Sequence, residues 1–197
     1  TLSRSPERSE GASEGSLDFC LTRSTTLALH HEKIGIIIKL ASMAVLKIRT
    51  LPDPVLRQKA KRVTTIDGSV QKLIDDMIDT MRVNSGAGLA APQIGVSLRI
   101  VVIEMPGEEV ITLINPEVIK KEGNRVVQEA CLSVPGYQGE IKRAVAVKVK
   151  AQDRQGKVIR LKGKDLLAQA LEHETDHLNG TLYIDHIESP DKLQRIA

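Results

Sequence analysis

Leu171-Glu172-His173-Glu174-Thr175-Asp176-His177-Leu178-Asn179-Gly180 holds two histidines four residues apart, with a glutamate directly after the first. On a helix, positions i and i+4 neighbour each other on one face, so this spacing brings both imidazoles to one point. Two imidazoles so placed can grip a single divalent metal. Glu174 then lies near the open side of that metal, where a carboxylate can take a proton from water. Histidines at i and i+2 would face apart. The surroundings predict the helix: residues 164–179 contain neither Pro nor Gly, His173 and His177 continue a stripe begun by Leu166 and Ala170, and Gly180 follows as a stop. A pattern with so few fixed positions also arises by chance in ordinary helices, so a third ligand decides its meaning.

One large group of zinc proteases continues the motif as HExxHxxGxxH, but the final position here is Tyr183. A glutamate on a second downstream helix would be another solution, and Glu188 is too close for it. His186 is a candidate within a strand-like or irregular segment, 183–187. Upstream, Gln128-Glu129-Ala130-Cys131-Leu132-Ser133 offers Cys131. One Cys and two His leave a fourth position for water, the open geometry of a catalytic site. Without the helix motif, a lone cysteine would read as a small buried hydrophobe.

The remainder of the chain bounds the class. Its 197 residues suit one domain with a real core, and 41% hydrophobic and 27% charged residues are those of a soluble globular protein. Tryptophan is absent and aromatics make up 2%, so the core is aliphatic. A net charge of +3 argues no nucleic-acid footprint by itself. Cys20 and Cys131 lie in unlike contexts, which gives no disulfide framework and fits a reducing compartment. Residues 1–15 are rich in Ser, Glu, Arg and Gly, a disordered composition. The apolar run 34–40 is broken by Lys39 and too short to span a bilayer. Glu7, Glu10 and Glu14 argue against a transit peptide. The expectation is an upstream extension over 1–42, without catalytic importance, and a catalytic domain over 43–197.

Within 43–197 the elements alternate. A short strand is expected at 45–48, then a short helix from Pro54 to about residue 60 with Asp53 as its cap. Val70, Leu73, Ile74, Met77, Ile78 and Met81 mark an amphipathic helix over 67–84, whose methionines are core. Gly86-Ala87-Gly88-Leu89-Ala90-Ala91-Pro92-Gln93 lacks the Lys-Ser/Thr of a phosphate loop. Its small residues let backbone approach a ligand, and the Gln93 amide N–H can donate to an oxygen that gains charge. Strands are expected at 99–105, 110–114 (ended by Asn115-Pro116), 117–121, 125–129, 144–151 and 158–161. This order predicts an α+β fold: antiparallel sheets around a C-terminal metal-binding helix, with an N-terminal amphipathic helix.

The loop 86–93, Glu129-Ala130-Cys131-Leu132-Ser133 and His173-Glu174-Thr175-Asp176-His177 together resemble, in order and separation, the three signature motifs of peptide deformylase. The similarity runs from about Met43 to the C-terminus. It implies that Cys131, His173 and His177 bind one divalent metal, Fe²⁺ in the native family, with Zn²⁺, Ni²⁺ or Co²⁺ able to substitute. It makes Glu174 the general base and then acid, with Gln93 and the Leu132 N–H holding the formyl oxygen. The implied methionine pocket is Gly86, Ala87, Gly88, Val127, Leu166, Gln169, Ala170 and His173. Glu129 and Arg143 would form a buried ion pair bracing the cysteine loop, and Asp176 would orient the site. The implied substrates are N-formylmethionyl peptides and nascent chains at the ribosome. A monomer in the bacterial cytoplasm, with an organelle as alternative, and no direct contact with nucleic acid or membrane, completes the expectation.

Two departures from the family pattern bear on the site. Ala130 stands where glycine is usual, which would strain the loop if that position required φ > 0. Glu172 stands where glutamine is frequent, and its charge would raise the pKa of nearby groups. A zinc endopeptidase, a non-catalytic relative and a closed structural metal site are the competing classes. Tyr183 argues against the first, the intact motif residues against the second, and the want of a fourth ligand other than His186 against the third.

Overall fold

A computed structural model describes residues 44–196, so the expectation for 1–42 falls outside the described residues. Among the described residues, two α-helices and eight strands make up an α+β fold, with all ladders antiparallel. Helix α1 (Gly68–Val83) starts where the Asp67 carboxylate accepts from the N–H groups of Ser69 and Val70, a side-chain cap for otherwise unpaired donors. Helix α2 (Asp165–Leu178) carries the histidine motif. Strands β1 (Gly88–Ala90), β2 (Ile100–Ile103), β3 (Ile111–Glu122), β6 (Ala146–Gln152) and β7 (Val158–Lys164) form one sheet in that order. Strands β4 (Arg125–Cys131), β5 (Val134–Arg143) and β8 (Leu193–Arg195) form the second.

The five-stranded sheet separates two aliphatic cores. Ile74, Met77 and Met81 of α1 pack with Ile100, Val102 and Ile114 on one face. Ala168, Leu171 and Leu178 of α2 pack with Val101, Ile103, Leu113, Val147 and Val149 on the other. Strand β2 is therefore buried on both faces, which explains its unbroken apolar run. Each fully buried Ile, Leu or Met contributes about 1.5–3 kcal/mol.

Several local expectations change. Residues 45–48 form no strand; Leu46 N–H donates to Thr80 Oγ1 (2.9 Å) and Arg49 N–H to the Gln93 carbonyl (2.7 Å), single bonds without a ladder. The helix after Asp53 is a 3₁₀ turn, Pro54–Arg57. Gln58 is already extended, and Ala60 N–H donates to the Leu178 carbonyl (2.9 Å), tying this segment to the end of α2. Asn115-Pro116 does not end a strand. Asn115 takes φ 53° and its side chain bonds Val63 N–H and carbonyl, so β3 passes through with a register shift. The loop 86–93 contains β1 and a 3₁₀ turn, Ala91–Ile94. Strand β5 was not expected at all. The segment 183–187 is a 3₁₀ turn, Tyr183–His186.

Candidate metal centre and active site

Ligand atoms of Cys131, His173 and His177 lie within 4.8 Å of one another, and Cys131 Sγ is 3.2 Å from His177 Nε2. Cys131 ends β4 of the small sheet; both histidines sit on α2 above the large one. His173 Nδ1 lies 2.7 Å from Glu129 Oε2, which leaves its Nε2 free for a ligand bond, as metal-binding imidazoles require. His177 Nδ1 is buried without a partner. A thiolate and two imidazoles, half-buried to buried and converging, suit a borderline divalent metal and leave a coordination position open. His186 is not in this group; its Nε2 lies 2.9 Å from Asp176 Oδ2.

A cavity of about 170 Å³ adjoins the cluster. Gly86, Ala87, Gly88 and Gln93 line one wall, Gln128 to Leu132 another, and Leu166, Gln169, Ala170, His173 and Glu174 the helix side. Val127 is not part of that wall. Its side chain packs with Ile141 and Tyr183 in the core of the small sheet. A Cβ on Gly88 would collide with the Glu174 carboxylate, so glycine is what lets β1 approach the helix.

Glu174 is 4% exposed, and its Oε2 has no hydrogen-bond partner. Burial pushes its carboxyl up to about 7, near the range of an effective general base. A cation beside it would draw this value down and favour the basic form. Gln93 is fixed in direction: its Oε1 accepts from Ala90 N–H (2.8 Å), so Nε2 points toward Cys131 Sγ (3.6 Å) and Ser133 Oγ (3.3 Å). A donor thus faces the cluster. The N–H of Leu132 follows the cysteine directly in the chain.

An ion-pair network braces these groups. Arg143, on β5, donates from Nε and one Nη to both Glu129 oxygens (2.8 and 3.0 Å) and from the other Nη to Asp176 (2.6 Å). Burial opposes the Glu129 charge, but hydrogen bonds with His173 and Arg143 outweigh it and hold the carboxyl at about 2. Burial likewise pulls the Arg143 guanidinium down, and Glu129 more than restores it. For His177, burial lowers the pKa well below 6.5, favouring a neutral imidazole.

Neither departure disturbs the cavity by the expected route. Ala130 is not among the positive-φ residues, so its Cβ strains nothing. Glu172 accepts from Ala144 N–H (2.8 Å) and pairs with Lys121 (2.7 Å), which offsets its charge. Sequence reasoning missed Tyr183, whose ring stacks near His173 at 6.4 Å, and Arg125, which donates to Gln169 (3.3 Å). Nothing local in the sequence announces either contact.

An unpartnered buried carboxylate beside a Cys/His₂ cluster, in the wall of a small apolar-lined cavity, suits a metallohydrolase, and the converging donor atoms suit a metal ion. The comparisons narrow the class. The polypeptide deformylase family profile matches residues 45–193, and the chain belongs to that family. It is 61% identical over 156 residues to a peptide deformylase of Dehalococcoides mccartyi, covering 79% of this chain and 93% of the relative. A peptide deformylase of Alkaliphilus metalliredigens is 52% identical over 145 residues, covering 74% and 98%. Among solved structures, a peptide deformylase from Legionella pneumophila matches with TM-score 0.73 and 50% identity over 76% of this chain and 89% of that one. One from Synechococcus elongatus, in complex with actinonin, matches with TM-score 0.72 and 40% identity over 75% and 81%. The activity is removal of the N-formyl group from formylated peptides, a step in protein maturation.

Proposed function

We propose that Cys131, His173 and His177 hold one divalent cation, Fe²⁺ in the native enzyme, and that Glu174 is the acid–base group for hydrolysis of the N-formyl bond. The observation that carries this reading is the buried Glu174 carboxylate, with a free oxygen, beside the converging ligand atoms. When bound, the cation supplies Lewis-acid polarisation and makes water a better nucleophile at neutral pH. Glu174 takes the proton of the attacking water. Gln93 Nε2 and the Leu132 N–H donate to the formyl oxygen as it gains charge. Glu174 then passes the proton to the departing amine, leaving formate and a free N-terminal methionine. Gly86, Ala87, Gly88, Leu166, Gln169 and Ala170 form the pocket for the methionine side chain. Glu129, Arg143 and Asp176 position His173 and the cysteine strand.

The domain that does this spans 43–197, and residues 1–42 take no part in the chemistry. The substrates are nascent chains at the ribosome, in a bacterial cytoplasm. The bacterial relatives support that setting, and no described helix is long and apolar enough to cross a membrane. The enzyme acts as a monomer: the exposed large apolar side chains, such as Val83, Val126 and Val158, sit on different elements. The test is formate release from an N-formyl-Met tripeptide by the anaerobically prepared, Fe²⁺-loaded chain, beside Glu174→Ala. Rapid release lost in the variant is expected; equal release by both would overturn the role of Glu174.

A further inference from the structure

Arg125 stands at the start of β4, outside the three short motifs. The ladder does not account for it. Arg125 lies opposite Arg143 of β5, and like charges so placed destabilise a sheet. Among the described residues its side chain joins no ion pair and makes one hydrogen bond, from Nη2 to Gln169 Oε1 (3.3 Å). Its Nε is buried without a partner, which costs stability. What the residue contributes is its hold on Gln169.

Gln169 belongs to the cavity. On α2, Leu166, Gln169, Ala170 and His173 follow i, i+3, i+4 and i+7 and line one wall together. Gln169 Nε2 donates to the Gln128 carbonyl (3.1 Å). A glutamine amide fits its space either way round, so its neighbours decide the orientation. A guanidinium has donors and no acceptor, so Arg125 requires the amide oxygen. A carbonyl has no donor, so Gln128 requires the NH2 group. Turning the amide over would set donor against donor and acceptor against acceptor. The NH2 group carries two N–H bonds, and the Gln128 carbonyl takes one of them.

An apolar pocket favours a methylene group, because burying it removes apolar surface from water. A thioether sulfur is a weak acceptor and gains from a donor. One N–H in the wall therefore shifts the preference toward sulfur. We propose that Gln169, held by Arg125, gives its second N–H to the sulfur of the substrate's methionine side chain, so that the pocket selects a thioether over a hydrocarbon of the same length. The inference rests on the reading of this cavity as the methionine pocket. Gln169 determines the specificity, and Arg125 is a positioning residue that acts through it.

The test compares N-formyl-Met and N-formyl-norleucine tripeptides on the metal-loaded full chain, since norleucine replaces the sulfur by a methylene. Wild type is expected to prefer the Met peptide by about two- to tenfold in kcat/KM, the range of one net hydrogen bond, and chiefly through KM. Gln169→Leu should abolish the preference. Arg125→Met should abolish most of it, because the released amide is free to turn its oxygen toward the cavity. Arg125→Lys, which also offers donors alone, should restore part of it. The double variant of Arg125→Met with Gln169→Leu should show the same ratio as Gln169→Leu alone, as for residues that act in one line of contacts. Each ratio is taken on one preparation, so a loss of folded protein cancels from it. Equal kcat/KM for the two peptides in wild type would overturn the proposal, as would a preference that survives either single substitution to Leu or Met. Formate release from both peptides would leave the assignment of the hydrolytic site standing in those cases. No release from either by wild type would bring down that assignment and this proposal together.

Discussion

The two helices cover opposite faces of one sheet and pack into aliphatic cores, but α2 buries more polar and charged side chains than α1. Helix α1 buries Ile74, Met77 and Met81, an amphipathic stripe closed by the Asp67 cap. Helix α2 buries Glu172, Glu174, Thr175 and His177, and it begins without a side-chain cap at Asp165, whose φ is 48°. Burying polar groups costs free energy unless they are paired, whereas the methionines of α1 stabilise by burial alone. Both helices are held by packing on the sheet, and α2 in addition by ion pairs and hydrogen bonds to its neighbours. The difference locates the chemistry, because a chain tolerates local inconsistency where function requires it.

The sharpest way to break the comparison is Glu174→Gln on α2. Turnover should fall on the order of 10²–10⁴-fold, as for loss of general acid–base catalysis, while the melting temperature holds or rises. Formate release and a thermal melt, run on one preparation, check both; activity within tenfold of wild type would refute the role. Next comes Arg143→Met, which leaves the buried Glu129 without its guanidinium partner and with only His173 beside it. It should cost about 3–5 kcal/mol in urea unfolding and weaken metal affinity about 10–100-fold. A smaller loss of stability comes from Met77→Ala on α1, about 2–5 kcal/mol from the cavity left behind. There KM and kcat should stay unchanged, and a changed kcat would mean that the two faces are coupled through the sheet. The smallest effect is acid fraying of α1. The hydrogen bonds from Ser69 and Val70 hold the Asp67 carboxyl below its ordinary 3.8. A depressed carboxyl stabilises above its unfolded value and loses that contribution as pH falls through the folded one. Amide exchange at Ser69 and Val70 should therefore quicken, relative to the unfolded rate, as pH falls below 3.8. An Asp67→Asn variant should show no such step.

Both helices were legible in the sequence because their signals are local: the period of the apolar residues, Asp67 before one and Gly180 after the other. Strand β5 was not, because Pro135, Gly136 and Gly139 read as loop. Its glycine answers to distant neighbours, since a Cβ at Gly139 would come within 2.7 Å of Ile187 Cδ1 and 3.1 Å of the Tyr183 ring. The same division runs through the site. The residue types of the metal cluster stand out in two short motifs, whereas the links between them do not. Asp176 reaches Arg143 across 33 positions, and nothing near either residue predicts that bond. Val127 was expected in the pocket wall and packs with Ile141 and Tyr183, a contact that motif resemblance does not resolve.

Glu129 lies on the small sheet, His173 and Asp176 on the helix carried by the large one, and Arg143 joins them. Neither half contains a working fragment of this arrangement. A chain whose sheets have not yet docked has no oriented imidazole and no closed cavity wall, and so cannot hydrolyse anything. If the proposed site roles hold, the network would act as an interlock, withholding hydrolysis from chains whose sheets have not docked. In a refolding time course, formate release should lag the recovery of helix and coincide with protection of the amides of β4 and β5. Release that kept pace with helix alone would mean that one half suffices.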